Sequence, residues 1–424
     1  MALFSLTFLI LITFYIKKIK LFYPLGLIIL FFFIVPYLLY PLFKIISFKN
    51  LEEIKVFLDH INHALIIINF VYIFWILGFF SLGKQTNKII NINFDYRDRI
   101  FANALIFFGI CLYFFVFSYV GISFINSFSD PLGTRFSIIN KSGGFYLRSI
   151  SFWLMWCGWF LKFLLFVKGF NINKIRLILL FVFIIFLSFP LGQRSLILFP
   201  IIYLVLLMYY LKMISFKRIS FLLLFLFFLV PVLGLYRQLG SSEYLSIDKF
   251  ISSFNLIFAN FQDILFLLSE RINNLYFFTI FLEFKDQVDY DLIDSISGFF
   301  NLFIPSFALL GDKAVDLTTL LTIKYIGSVK MGTYDFTSFP EWLLIGGYFA
   351  IPIFAFFSGL INRIIVDGVF KLGSSIFFLM LFTHGFFLKM PFLNINNINN
   401  IFIIIFLIYS IFIYLLYNTY KRFR

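Results

Sequence analysis

Two arginines, Arg194 and Arg237, and a series of carboxylates that closes at Glu341 are the residues of this chain whose placement demands chemistry. Arg194 stands in Leu191-Gly192-Gln193-Arg194-Ser195, a polar break between two apolar runs, and Arg237 ends the next hydrophobic pair. A guanidinium at mid-bilayer costs about 2.5–3.5 kcal/mol on insertion scales, so an arginine in such a turn must meet water, a headgroup or an anion. Its forked donors suit phosphate oxygens. Two of them at one membrane face would make a pyrophosphate clamp. Spacing alone leaves a second reading equally open, in which Arg194 snorkels to lipid headgroups at a tight turn.

The carboxylates run through one long segment: Glu243, Asp248, Asp263, Glu270, Glu283, Asp286, Asp289, Asp291, Asp294, Asp312, Asp316, Asp335 and Glu341. Sugar transfer to a hydroxyl gains from a carboxylate that takes the acceptor's proton. Most acids in such a segment are solvated loop residues. Glu341 differs because it opens an apolar run at Trp342, and an ionisable group at the mouth of a span is a functional candidate by default.

Other chemistries find little support. The three histidines are His60 and His63, at the start of the third apolar run, and His384 inside the tenth, so a histidine base acting in the long segment is disfavoured. His384, between Thr383 and Gly385, fits an interhelical hydrogen bond. Cys111 and Cys157 both lie in apolar runs, which suits neither a disulfide framework nor a metal cluster. No Walker-type loop, His-Glu-x-x-His or Gly-x-Ser-x-Gly occurs, so no cofactor or metal is expected, and the energy for transfer would come from an activated donor carried in the membrane.

These residues must be positioned by a membrane bundle. Of 424 residues, 62% are hydrophobic and only 13% charged, against roughly a quarter charged in soluble domains. The 70 phenylalanines read as generic lipid-facing positions. The net charge of +14 comes mostly from short loops and so signals orientation and not nucleic acid. Windows of about 20 residues give roughly eleven spans in an all-α polytopic bundle. They are Leu3–Ile16, Leu21–Phe43, Ala64–Leu82, Ile100–Phe124, Ile150–Phe166, Ile175–Pro190, Leu196–Leu211, Ile219–Leu235, Trp342–Ile361, Ser374–Phe387 and Ile401–Tyr417. The first lacks a small-residue cleavage site and is expected to be retained.

Basic residues mark the odd-numbered loops: Lys17, Lys18 and Lys20; Lys84, Lys88, Arg97 and Arg99; Lys168, Lys174 and Arg176; Lys212, Lys217 and Arg218; Arg363 and Lys371; Lys421, Arg422 and Arg424. The positive-inside rule puts these in the cytoplasm, against the counterweight of Lys44, Lys49 and Lys55 in the second loop. Arg194, Arg237 and the segment up to Glu341 then face the other side. The chain accordingly divides into an N-terminal bundle (1–235), an extracytoplasmic segment (236–341) and a C-terminal bundle (342–424). A segment of about a hundred residues is long for a passive loop. Within it, polar and apolar residues alternate at helical spacing from Phe254 to Glu283, which predicts an amphipathic helix at the interface. The acidic stretch from Glu283 to Asp294 reads as irregular, and Gly298–Pro305 as a short re-entrant or surface-lying hairpin.

Gly192-Gln193-Arg194-Ser195 between mid-chain spans, Leu235-Tyr236-Arg237 after the next, and a long external segment together resemble the bacterial O-antigen and oligosaccharide repeat-unit polymerases. Phe299-Phe300-Asn301-Leu302-Phe303-Ile304-Pro305, Lys313, Ser338-Phe339-Pro340-Glu341 and Gly346-Gly347-Tyr348, with Gly359 beyond, extend the likeness over residues 140–365. Ser306 departs from the arginine often found after Ile-Pro, which moves weight to Lys313.

The resemblance implies a multi-pass protein of the bacterial inner membrane whose site faces the periplasm. It implies transfer of a growing glycan from an undecaprenyl-pyrophosphate carrier to another lipid-linked repeat unit, with a chain-length regulator as a further partner. On that reading Arg194 and Arg237 bind the donor pyrophosphate and stabilise its departing charge. Glu243 or Glu341 accepts the proton, and Arg148, Lys313 and Tyr348 bind substrate. An O-antigen ligase shares donor and architecture, although the absence of histidine from the long segment counts against it. A lipid-linked-oligosaccharide flippase would need no such segment.

Overall fold

The computed structural model describes residues 51–82, 96–128, 144–191, 274–303 and 338–371, with isolated positions elsewhere. Among the described residues there are helices and no strands. The principal ones are α1 (Leu51–Phe80), α2 (Tyr96–Val120), α3 (Gly144–Val167), α4 (Lys174–Ser188), α5 (Asn274–Phe284), α6 (Leu292–Phe303) and α7 (Ser338–Lys371). Five stretches are long and apolar enough to cross a membrane: Glu52–Phe80, Arg97–Val120, Leu147–Val167, Lys174–Leu191 and Phe339–Arg363. This is the make-up of a multi-pass membrane protein. The remaining expected spans lie outside the described residues, apart from isolated positions.

Helix ends correct the limits set by hydropathy. α1 starts at Leu51 and not Ala64, because Glu52 and Glu53 complement its N-terminal dipole and Ile61 continues the buried face ahead of the apolar run. α2 stops at Val120 and not Phe124. Gly121 takes φ +80 there, and its amide and that of Ile122 close on the Phe117 carbonyl. α4 begins one residue before its expected limit, capped by the Asn173 side chain, which accepts from the amides of Ile175 and Arg176.

α1, α5, α6 and α7 belong to one compact unit and α2, α3 and α4 to another. The first therefore joins helices from all three of the segments 1–235, 236–341 and 342–424. In it, α1 and α7 run parallel: Gly78 of α1 lies against Phe356 and Leu360, and Gly359 of α7 against Trp75 and Phe79. The approach is so close that a Cβ on Gly78 would fall 1.9 Å from the Phe356 carbonyl oxygen, and one on Gly359 would fall 2.0 Å from that of Trp75. Small residues that let backbones touch are how helices associate where lipid offers no hydrophobic drive.

The second unit is an antiparallel run. Gly109 of α2 meets Ser151 and Met155 of α3, while Gly158 of α3 meets Ala102 and Ile106 of α2. α4 folds back on α3 through Gly169, at φ +87, and the Trp159 indole donates to the Leu177 carbonyl at 2.9 Å. Arg99 donates to the Asn171 carbonyl, so the basic starts of α2 and α4 share one end of this unit.

Phenylalanine serves both sides of the packing. Phe107, Phe108 and Phe115 are exposed, while Phe117, Phe152 and Phe160 are buried, so the reading of phenylalanine as lipid-facing filler describes only part of it. Arg363 likewise leaves the loop assigned to it. It is buried in α7, with its guanidinium 5.7 Å from the Phe79 ring centroid.

Candidate functional site

In the first unit one group of polar side chains gathers in the N-terminal halves of α1 and α7. Glu341 lies in the first turn of α7, where helix amides favour an anion. It is completely buried and accepts a hydrogen bond from the Ser295 hydroxyl of α6. The acidic stretch before α6 is less irregular than its composition predicts. After a 3-10 turn over Lys285–Gln287, Asp291 and Asp294 form a reciprocal cap, each carboxylate accepting the other's amide at 2.8 and 3.1 Å. These two aspartates start a helix. That cap also explains why Gly298–Phe303 continues α6 and is not a re-entrant hairpin: helical propagation from a satisfied first turn carries through the glycine.

Further along α7, the helix breaks at Gly346 and Gly347, where Gly347 adopts φ +61 and ψ −156, a conformation open to glycine. Pro352 then has no N–H to offer the carbonyl four residues back, that of Tyr348. Tyr348, just past the break, is 45% exposed and sits among charged and titratable neighbours. The Lys285 ammonium donates to its hydroxyl at 3.0 Å and lies 4.6 Å from its ring centroid. His63 Nε2 is 3.4 Å from the same hydroxyl, its role set by tautomer. One turn earlier on α1, His60 Nδ1 is 3.1 Å from the Glu283 carboxylate. His60 and His63 share a helix face because three residues span close to one turn.

α5 packs against α1 and delivers Glu283 and Lys285 to this cluster. Its described part, Asn274–Phe284, buries Leu275, Phe277, Phe278, Ile280 and Phe281 and exposes Tyr276 and Glu283. Of the expected interfacial amphipathic helix over Phe254–Glu283, only residues 274–283 are described, and that part is largely buried because apolar residues lie all round it. Asn260, Asp263 and Glu270 lie outside the described residues.

In the second unit Arg148 sits near the start of α3, only 1% exposed, one turn before Ser151, whose hydroxyl donates to the Arg148 carbonyl at 2.7 Å. Its guanidinium is within electrostatic reach of Tyr113. The Tyr113 hydroxyl donates to the Leu187 carbonyl at 2.6 Å, and its ring stands 5.4 Å from that of Phe152. Arg148 therefore belongs to the end of this unit at which α4 runs through the 3-10 turn Phe189–Leu191 toward Gly192-Gln193-Arg194-Ser195. Arg194, Arg237, Glu243 and Lys313 themselves lie outside the described residues.

Of the expected site residues, Glu341 and Tyr348 thus occur on one helix, on either side of its glycine break. Residue patterns missed Lys285, Ser295, His60 and His63 as their neighbours. The histidines precede the long segment by some two hundred residues in the chain, and only the α1–α5 and α1–α7 contacts bring them to it. Among the described residues no group of three or more His, Cys, Asp or Glu could hold a metal ion. No family model, curated protein or solved structure matches this chain.

Chemically the arrangement offers a buried carboxylate at the mouth of a span and an exposed phenol held between an ammonium and an imidazole. The first can accept a proton or orient a hydroxyl. The second can donate or accept hydrogen bonds to a polar ligand.

Proposed function

We propose that this chain is a bacterial inner-membrane glycan polymerase that joins undecaprenyl-pyrophosphate-linked repeat units at the periplasmic face. The observation that carries the reading is the return of the long segment onto a span mouth. Ser295 and Lys285, both from that segment, contact Glu341 and Tyr348 of α7. A membrane transferase acting on a lipid-linked donor needs such a site, built at the membrane surface where the carrier's pyrophosphate emerges.

The parallel run of α1 and α7 supports the topology, because the loop charges require both helices to enter the membrane from the same side. In the proposed division of labour, Arg194 and Arg237 hold the donor pyrophosphate and stabilise the charge on the departing carrier. Glu341, or Glu243, takes the proton of the attacking sugar hydroxyl. Tyr348, Lys313 and Arg148 bind the glycan and its phosphates. The chain-length regulator is a further proposed partner.

Replacement of Arg194 or Arg237 by Ala is expected to abolish long glycan chains while single repeat units still reach the outer core. Unchanged chain-length ladders on a gel for both variants would sink the assignment. Loss of all capped core, single units included, would point instead to ligation or flipping.

One observation favours the ligase as the second reading. His60 and His63 lie against Glu283 and Tyr348, so histidine is available to the long segment after all.

A further inference from the structure

We infer that α6 is a membrane-surface helix, lying along the bilayer with its apolar stripe in the acyl region and holding Glu341 through Ser295. The helix is strongly two-faced. At 100° per residue Leu292, Ile293 and Ile296 share one side, and Asp294 and Ser297 the other. The described side chains show the apolar side without cover: Leu292 is 45% exposed, Ile293 73% and Ile296 42%. Ser295, at the edge of that stripe, is buried against Glu341.

Three observations make lipid the occupant of this face. α6 is bonded to the first turn of α7, a stretch long and apolar enough to cross a membrane, and α7 exposes Phe349, Ile353 and Phe357 farther along. Twelve residues span about 18 Å as a helix, too short to cross ~30 Å of hydrocarbon. The carboxylates of Asp291 and Asp294 would be costly to bury within the core but are well placed at the headgroup level. Ser295 ties that helix to the carboxylate at the span mouth. The inference does not depend on the proposed enzymatic activity.

Spin labels test it on the full chain in nanodiscs of phosphatidylethanolamine and phosphatidylglycerol. Single cysteines are introduced at Leu292, Ile293, Ile296 and Ser297 in a Cys111→Ser background, Cys157 being buried and left in place. Labels at 292, 293 and 296 should be more accessible to oxygen than to a water-soluble nickel chelate, and the one at 297 the reverse. Nickel accessibility at every position would overturn the inference in favour of a solvated helix. Dipolar broadening between labels at 293 would overturn it in favour of a second copy, and protection from both reagents in favour of a protein cover. Variants that misfold are recognised by a shifted elution volume, and for those positions the oxygen and nickel profile of the neighbouring label decides.

Discussion

The two compact units use one packing device for different ends. In the antiparallel α2–α3–α4 run, helices that follow one another in the chain pack side by side. Basic residues cluster at the starts of α2 and α4, and Arg148 lies buried at the other end. In the parallel α1–α7 pair, by contrast, helix starts far apart in sequence are brought together. Parallel neighbours cannot be joined by a short turn, so a long excursion must separate them, and part of that excursion, α5 and α6, packs at the junction. The Ser295–Glu341 contact and the group of His60, His63, Glu283, Lys285 and Tyr348 exist because of this. Function is therefore expected to be more sensitive to damage in the parallel unit.

The sharpest way to break the comparison is to separate the helices. Gly359→Ala would drive a methyl group to 2.0 Å from the Trp75 carbonyl oxygen, backbone that cannot turn aside. It should destabilise by about 3 kcal/mol or more. Gly109→Ala meets the Met155 side chain at 2.7 Å and the Ser151 carbonyl at 2.8 Å, a looser contact. It should cost about 1–2 kcal/mol. Thermal unfolding in detergent followed by size exclusion ranks the two, and equal losses would remove the claim that the parallel pair is the tighter.

Single hydrogen bonds give a smaller contrast. Ser295→Ala deprives the buried Glu341 carboxylate of a donor and is expected to cost about 2 kcal/mol. It should also lower glycan transfer. Tyr113→Phe removes the bond to the Leu187 carbonyl and should cost about 1 kcal/mol, with transfer retained. A loss of transfer in Tyr113→Phe matching that in Ser295→Ala would show that the two units contribute alike.

The smallest effects belong to the caps. Asn173→Ala, at the start of α4, and Asp291→Ala, at the start of α6, should each cost about 1 kcal/mol. Only the second should disturb activity, through the placement of Ser295. Parallel stability and transfer measurements on both variants check this.

The sequence by itself determined the membrane class and the helical architecture, and it placed Glu341 at the edge of an apolar run. These rest on local quantities: hydropathy over a span's length, the cost of burying an ionised group, and an acid's position at the edge of an apolar run. Helix limits were legible to within a few residues where glycine or a cap residue stood at the end, as at Gly121 and Asn173. They failed where a helix outran its apolar core, as α1 does before Ala64.

Only the tertiary structure decided that α1 and α7 run side by side, and with them the partners of the site. His60 and His63 sit at unremarkable positions in the chain, and Asp291 and Asp294 look like two acids among many. Whether a carboxylate pairs with an imidazole, as Glu283 does with His60, or is buried against a hydroxyl, as Glu341 is against Ser295, depends on neighbours that come from distant sequence. Those neighbours are set by which glycine-lined faces fit together, and residue spacing along a single chain carries no record of that fit.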